Sequence, residues 1–390
     1  MTQAMRGSVC PAIPSVSQQH PALHPLTIHA LAFLAFLTSC ALCPRIVHGD
    51  EPSPKNTIQW GWGEPDSQFI RQNIARMEQL PFDGLVFHVQ TKDQENLAWL
   101  AWGPRRFQLA EFQHAIDDLA ATRFDRLTER FLRVNVCPGN VDWFDDQAWS
   151  VVQQNFAVAA QVARRTGCRG FMFDTEQYEG PLFDYNRQPD REKRTFAQYQ
   201  AEVRQRGRQW MDTVGGEFPE ITVLLTFGYA RAQPEKQQAD RSQSRYGLLA
   251  DFLDGVLEAC PKTVTIVDAW EPAYPYKKRQ QFEEAYHTIK RKGPQWSAAP
   301  AKYRGHVQAG FGIWMDYDWR KQGWDVTDFS RNHFTPAQFE ASVRSALAVS
   351  DGYVWIYTEQ PRWWTNERLP REYLGALRQA KEEQRGEEKE

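Results

Sequence analysis

The chain has no excess of positive charge: 46 Lys and Arg stand against 49 Asp and Glu, a net charge of −3. Without a basic stripe, nucleic acid is not an expected partner. Cysteine is scarce. Of six, only Cys137, Cys168 and Cys260 lie beyond residue 49. An odd, widely spaced set excludes a disulfide framework, and these read as small buried apolar residues. There is no G-x-S-x-G elbow, no P-loop, and no Gly-rich phosphate fingerprint after the first β-like run. There is also no H-E-x-x-H and no clustered Cys/His spacing, so neither a metal nor a cofactor is expected.

Long apolar runs are missing too, with one exception. Residues 26–43, LTIHALAFLAFLTSCALC, follow a weakly basic leader containing Arg6 and read as a secretory h-region. Val47-His48-Gly49 offers a cleavage site, which predicts an exported chain, periplasmic or extracellular, starting at Asp50. The alternative is Leu37-Thr38-Ser39-Cys40, which looks like a bacterial lipobox and would leave a lipid anchor on Cys40. A retained membrane span fits less well, because the run is short and contains His29. Residues 1–49 hold two basic residues and no acids, so the remainder has 44 basic against 49 acidic.

What is present is one repeating grammar from 57 to 380. A short β-branched and aromatic run is followed by a loop and then an amphipathic helix. The runs are 57–63, 84–90, 130–139, 170–176, 221–229, 263–271, 306–318 and 352–359. Helix starts carry their own signals: Asp66 and Asp145 as caps, and capping boxes at Thr195/Gln198 and Thr335/Gln338, with Pro336 at the first helical position. Arg204, Arg206 and Arg208 spread round one helix and read as solvated surface. Eight strands alternating with eight helices predict an α/β fold, a (β/α)8 TIM barrel over 50–383, with a charged tail at 384–390. The alternative, an open doubly wound sheet, lacks both its phosphate fingerprint and a composition break.

In such a barrel, chemistry sits at the carboxyl ends of the strands. Those ends carry Trp60, Trp62, His88, Asp174, Glu176, Tyr178, Tyr229, Asp268, Glu271, Trp314, Asp316, Asp318 and Glu359. Carboxylates end the fourth, sixth, seventh and eighth strands. At least eight of 15 tryptophans fall at or just after these ends. Paired carboxylates suit glycosidic bond cleavage, where one protonates the leaving oxygen and the other attacks or activates water. Flat aromatic faces suit sugar rings. A carbohydrate is therefore the expected substrate.

In GFMFDTEQYEG, residues 170–180, alternation puts Met172, Asp174 and Glu176 on one strand face. Two such close carboxylates push their pKa values apart. Glu176, nearer the mouth, is the expected general acid, with Asp174 tuning or orienting it. A structural role for Asp174, pairing with Arg133 on the neighbouring strand, is the other reading. For the second catalytic carboxylate Glu359 stands first, ahead of Asp316 and Asp268. The remaining strand-end residues are expected to bind substrate. His88 reads as a hydrogen-bonded pocket residue rather than a metal ligand.

The segment resembles the fourth-strand motif of the chitinase-type glycoside hydrolases, D-G-x-D-x-D-x-E. Gly170, Asp174 and Glu176 match, while Arg169 and Met172 stand where two of the Asp residues would be. Met315-Asp316-Tyr317-Asp318 is loosely similar to that family's Met-x-Tyr-Asp. The chain as a whole looks like an exported (β/α)8 glycoside hydrolase. It departs from the large retaining group with Asn-Glu on strand four, having Thr175-Glu176. Two rivals remain: a non-catalytic carbohydrate-binding barrel, and a metal-dependent hydrolase using the strand-end acids.

Overall fold

The computed structural model describes residues 54–234, 240–318, 321 and 323–387. The expected leader with its Cys40 site lies outside the described residues, as do positions 388–390. Among the described residues no helix is long and apolar enough to cross a membrane.

Nine parallel strand segments form one sheet: β1 (Asn56–Gly61), β2 (Gly84–Phe87), β3 (Glu129–Asn135), β4 (Gly170–Asp174), β5 (Thr222–Leu225), β6 (Thr265–Asp268), β7 (Val307–Ala309), β8 (Phe311–Trp314) and β9 (Tyr353–Thr358). The seventh expected strand is divided at Gly310. Its first half, β7, pairs with β6, and its second half, β8, pairs with β9. That switch of partner is what brings the two edges of the sheet round to one another. A Cβ on residue 310 would lie 2.9 Å from both the Tyr353 carbonyl oxygen and Val267 Cγ1, so the crossing needs glycine. The result is the expected (β/α)8 barrel.

Alternation divides the side chains into two cores. Ile58, Trp60, Val86, Phe131, Met172, Leu224, Val267 and Trp355 fill the interior. The opposite strand faces pack under the helices in a much larger apolar layer. On β4, Phe173 points outward and stacks on Trp210 at 5.2 Å, which leaves Met172 and Asp174 pointing in.

The helices begin where the sequence signals place them. Asp66 and Asp145 cap helices Ser67–Met77 and Asp146–Arg165, and both capping boxes are formed. Helix Phe196–Glu217, which carries Trp210, lies directly on helix Leu249–Ala259. A Cβ on Gly207 would overlap the Phe252 carbonyl oxygen, and one on Gly255 would overlap that of Arg204, so the two backbones touch. Two expectations are corrected, for Arg206 and for the end of the last helix. Arg206 is buried, not solvated, donating to the Trp143 carbonyl and pairing with Asp146 and Glu202. Arg204 and Arg208 stay partly exposed, as expected, and both clamp Glu258. The last helix runs Arg371–Glu387, beyond the expected boundary at 383; within it Lys381 is buried on Asp83 at 2.6 Å and on the Pro81 carbonyl.

Gly207→Ala would force this helix pair apart. The expected loss is about 1–3 kcal/mol, the usual cost of overpacking, read as a lowered denaturant midpoint with an unchanged slope.

Candidate active site

A cleft of about 700 Å³ opens at the carboxyl ends of the strands. Its lining includes Trp60, Trp62, His88, Glu176, Tyr178, Glu271, Trp314 and Glu359, all expected from the sequence. Glu64, Asn96, Trp99, Arg133, Tyr274 and Tyr357 join them.

One wall is aromatic. Tyr274 stacks on Tyr357 at 5.4 Å, and Trp314 meets both edge-on at 5.6 Å. Trp60 leans on Tyr357 at 5.8 Å. At the rim, Trp62 is 67% exposed and Tyr178 48% exposed. Large apolar side chains left in water beside a cleft mark a contact surface.

The floor is a charge network. Arg133 reaches from β3 to Asp174 Oδ2 at 3.4 Å and Glu64 Oε2 at 3.6 Å. Asp174 also accepts from the Tyr178 hydroxyl (2.9 Å), the Thr226 hydroxyl (3.2 Å) and the Glu176 amide (3.1 Å). With both oxygens engaged, Asp174 positions its neighbours and does not present an attacking atom. Glu64 accepts from Trp60 Nε1 at 2.6 Å and stands 3.1 Å from His88 Nδ1. Burial alone would raise the Glu64 pKa, but Arg133, His88 and Trp60 together hold it below the usual carboxylate range.

Two other carboxyls go the opposite way. Burial, then the negative charges of Asp174 and Glu176, hold Glu271 well above its ordinary range against the opposing pull of Arg231. Burial and Asp174 raise Glu176, opposed by Tyr178, Arg231 and Arg245. Glu271 opens a short 3-10 turn after β6, behind Trp270 in the left-handed region at φ 33°. A non-glycine residue there costs about 1–2 kcal/mol, and the turn brings Glu271 to the cleft. Glu359 also has a raised pKa, from burial and then Asp316, with Asp318 adding to it.

Besides Asp174, which is fully buried beneath the floor, four expected site residues do not line this cleft. Tyr229 falls past the end of β5, where the chain turns at Gly228 into a short helix, and its hydroxyl donates to buried Asp254 at 2.8 Å. Asp268 has the wrong parity: Val267 points into the barrel, so Asp268 faces outward beside Leu225, Gly228 and Val307. Asp316 is buried, binding the amides of Glu359 and Gln360 and the Trp314 indole, so it ties β9's exit to β8's. Asp318 accepts from the Gly323 amide in its own loop. Among the rim tryptophans, Trp363 and Trp364 pack on Phe82 in the outer core instead.

The motif positions explain themselves locally. Arg169 pairs with Glu129 at the strand's opposite end, and Met172 fills the barrel interior. Glu64 and Tyr357 were visible as strand-end residues. Asn96 caps the short helix Leu97–Leu100, which carries Trp99, in the long connection after β2; four residues are too few for periodicity to place them. Among the described residues, no group of three or more His, Cys, Asp or Glu is placed to hold a metal ion.

No protein-family model matches this chain, and no curated protein matches it. Solved structures that it resembles include a glycoside hydrolase family 5 enzyme from Prevotella bryantii, 11% identical with a TM-score of 0.47, covering 85% of this chain and 96% of that one. Another is a family 5 lichenase from a Caldicellulosiruptor species, 12% identical with a TM-score of 0.44, covering 80% and 84%. A third is a sugar phosphate isomerase/epimerase from Parabacteroides distasonis, 10% identical with a TM-score of 0.38, covering 83% and 96%. The activity of this chain has to come from its own side chains.

Asp268 gives a pH test. Burial pushes its carboxyl up to about 7, opposed only by the Trp270 amide. The folded protein then holds a proton that the unfolded chain, near 4, has released, so this group's contribution to stability falls as pH rises from about 4 to about 7. Asp268→Asn is expected to flatten that dependence. Parallel wild-type and variant stability–pH curves across this range would show that folding leaves the Asp268 pKa unshifted.

Proposed function

We propose that this protein hydrolyses a glycosidic bond, with Glu271 and Glu176 as the acting carboxyls. One observation carries the reading: two desolvated carboxyls from the ends of β6 and β4 face a single aromatic-walled cleft, where burial, then the charges of Asp174 and Glu176, raise the proton affinity of Glu271. Such a pair supplies both functions that the reaction requires.

The roles follow from surroundings. Glu271 is the protonated member and delivers its proton to the glycosidic oxygen as the C–O bond breaks. Glu176, faced by Arg231 and Arg245, is the ionised member; it attacks the anomeric carbon or takes a proton from the attacking water. This exchanges the role expected for Glu176 and takes its partner from β6 in place of Glu359, whose nearest charges are Asp316 and Asp318. Asp174 and Arg133 keep the floor of the cleft fixed. Trp62 and Trp314 offer faces for sugar rings. The expected leader would carry this cleft out of the cytoplasm.

A panel of oligosaccharides and aryl glycosides gives the substrate. On a responsive natural linkage, Glu271→Gln and Glu176→Gln should each lower kcat by about 10²–10⁴-fold with the fold retained. On a dinitrophenyl glycoside, whose leaving group needs no proton, Glu271→Gln should recover most of its bond-breaking rate and Glu176→Gln should not. Undiminished turnover in either variant would remove that residue from the mechanism. Binding of panel sugars without any release by the wild type would make this a carbohydrate-binding barrel instead.

A further inference from the structure

The carboxyl pair comes from the ends of β4 and β6 and leaves Glu64 and His88, after β1 and β2, without a task. These two belong to a constellation of their own. The Glu64 carboxylate accepts from Trp60 Nε1 at 2.6 Å, stands 3.1 Å from His88 Nδ1 and forms an ion pair with Arg133 Nη1 at 3.6 Å. A buried carboxylate so supplied is ionised and can only accept. In the neutral imidazole the proton must then sit on Nδ1, and Nε2 is left with its lone pair. His88 lines the cleft, its side chain is not fully buried, and among the described residues no protein group meets Nε2.

We propose that His88 contacts the saccharide directly, its Nε2 accepting a hydrogen bond from a sugar hydroxyl, and that Glu64 is the positioning residue that fixes the ring in this acceptor form. Asn96 and Trp62 line the same cleft and add an amide and an indole to its lining. An acceptor held in one tautomer selects by hydroxyl placement: a ring with no hydroxyl at that point leaves Nε2 desolvated and unpaired. The inference rests on the saccharide cleft proposed above.

The test reads the imidazole itself. In full-length protein labelled with 15N-histidine, the His88 resonances, assigned by their loss in His88→Gln, should show the Nδ1-protonated tautomer. Cello-, manno- and xylo-oligosaccharides are then added, with binding followed separately by tryptophan fluorescence. A bound oligosaccharide should shift Nε2. In Glu64→Gln the amide can donate to Nδ1, so the proton should move to Nε2. On an aryl glycoside that the wild type cleaves, His88→Ala should lower kcat/KM by at least about tenfold, chiefly through KM, with His88→Gln partly restoring it. Glu64→Gln combined with His88→Ala should be no worse than His88→Ala alone, because Glu64 acts through the ring. Additive losses, or an Nε2 signal unmoved while fluorescence reports a bound oligosaccharide, would overturn this proposal and leave the glycosidase reading standing. Failure of every oligosaccharide to bind would overturn both.

Discussion

Arg133 is the interaction on which the cleft depends. It is a single guanidinium rising from the inner face of β3, between Glu64 after β1 and Asp174 on β4. Burying a carboxylate costs several kcal/mol unless a partner compensates it, and here one cation compensates two. Trp60 and Trp99 lie 5.3 and 4.8 Å from the guanidinium and limit where it can go. With Glu64 and Asp174 paired in this way, the excess negative charge of the mouth falls on Glu176 and Glu271. Both have their proton affinity raised, in part by the charge of Asp174.

That arrangement is only as firm as β4, and β4 is held from outside. Phe173 is stacked on Trp210, Trp210 belongs to helix Phe196–Glu217, and this helix is locked on its neighbour through Gly207 and Gly255. Because strand faces alternate, fixing Phe173 outward fixes Asp174 inward. A packing contact in the helical layer thereby sets the position of a carboxylate in the barrel. Close-packed interiors transmit displacement in this way, since no void takes it up. On the other side of the mouth, Asp316 does similar work by hydrogen bonds, tying the exits of β8 and β9 together beneath Glu359.

Much of the barrel was legible in the sequence because it is written in local terms. Alternation, caps and apolar periodicity are properties of neighbouring residues, and they located all eight strands and the helix starts. The capping boxes at Thr195 and Thr335 formed as their spacing implied. The site was legible to the extent that barrels place chemistry at strand ends, which brought forward Glu176, Glu271, His88 and Trp62. The errors share a cause. A residue near a strand end can face the mouth or the helical layer, and the side depends on where the strand stops. Tyr229 was assigned to a strand that ends four residues earlier, and Asp268 lies one residue from the inward-facing parity.

The sequence by itself determined the order of elements, the closed eightfold architecture and the acidic, aromatic character of one barrel end. Each of these follows from composition and period along the chain. Tertiary structure alone decided which acids share the cleft, which are paired with a cation, and which have their proton affinity raised. Glu64, Arg133 and Asp174 come from three separate strands, and Glu271 and Glu176 from two. Their pKa values depend on distances and desolvation that exist only after the barrel closes.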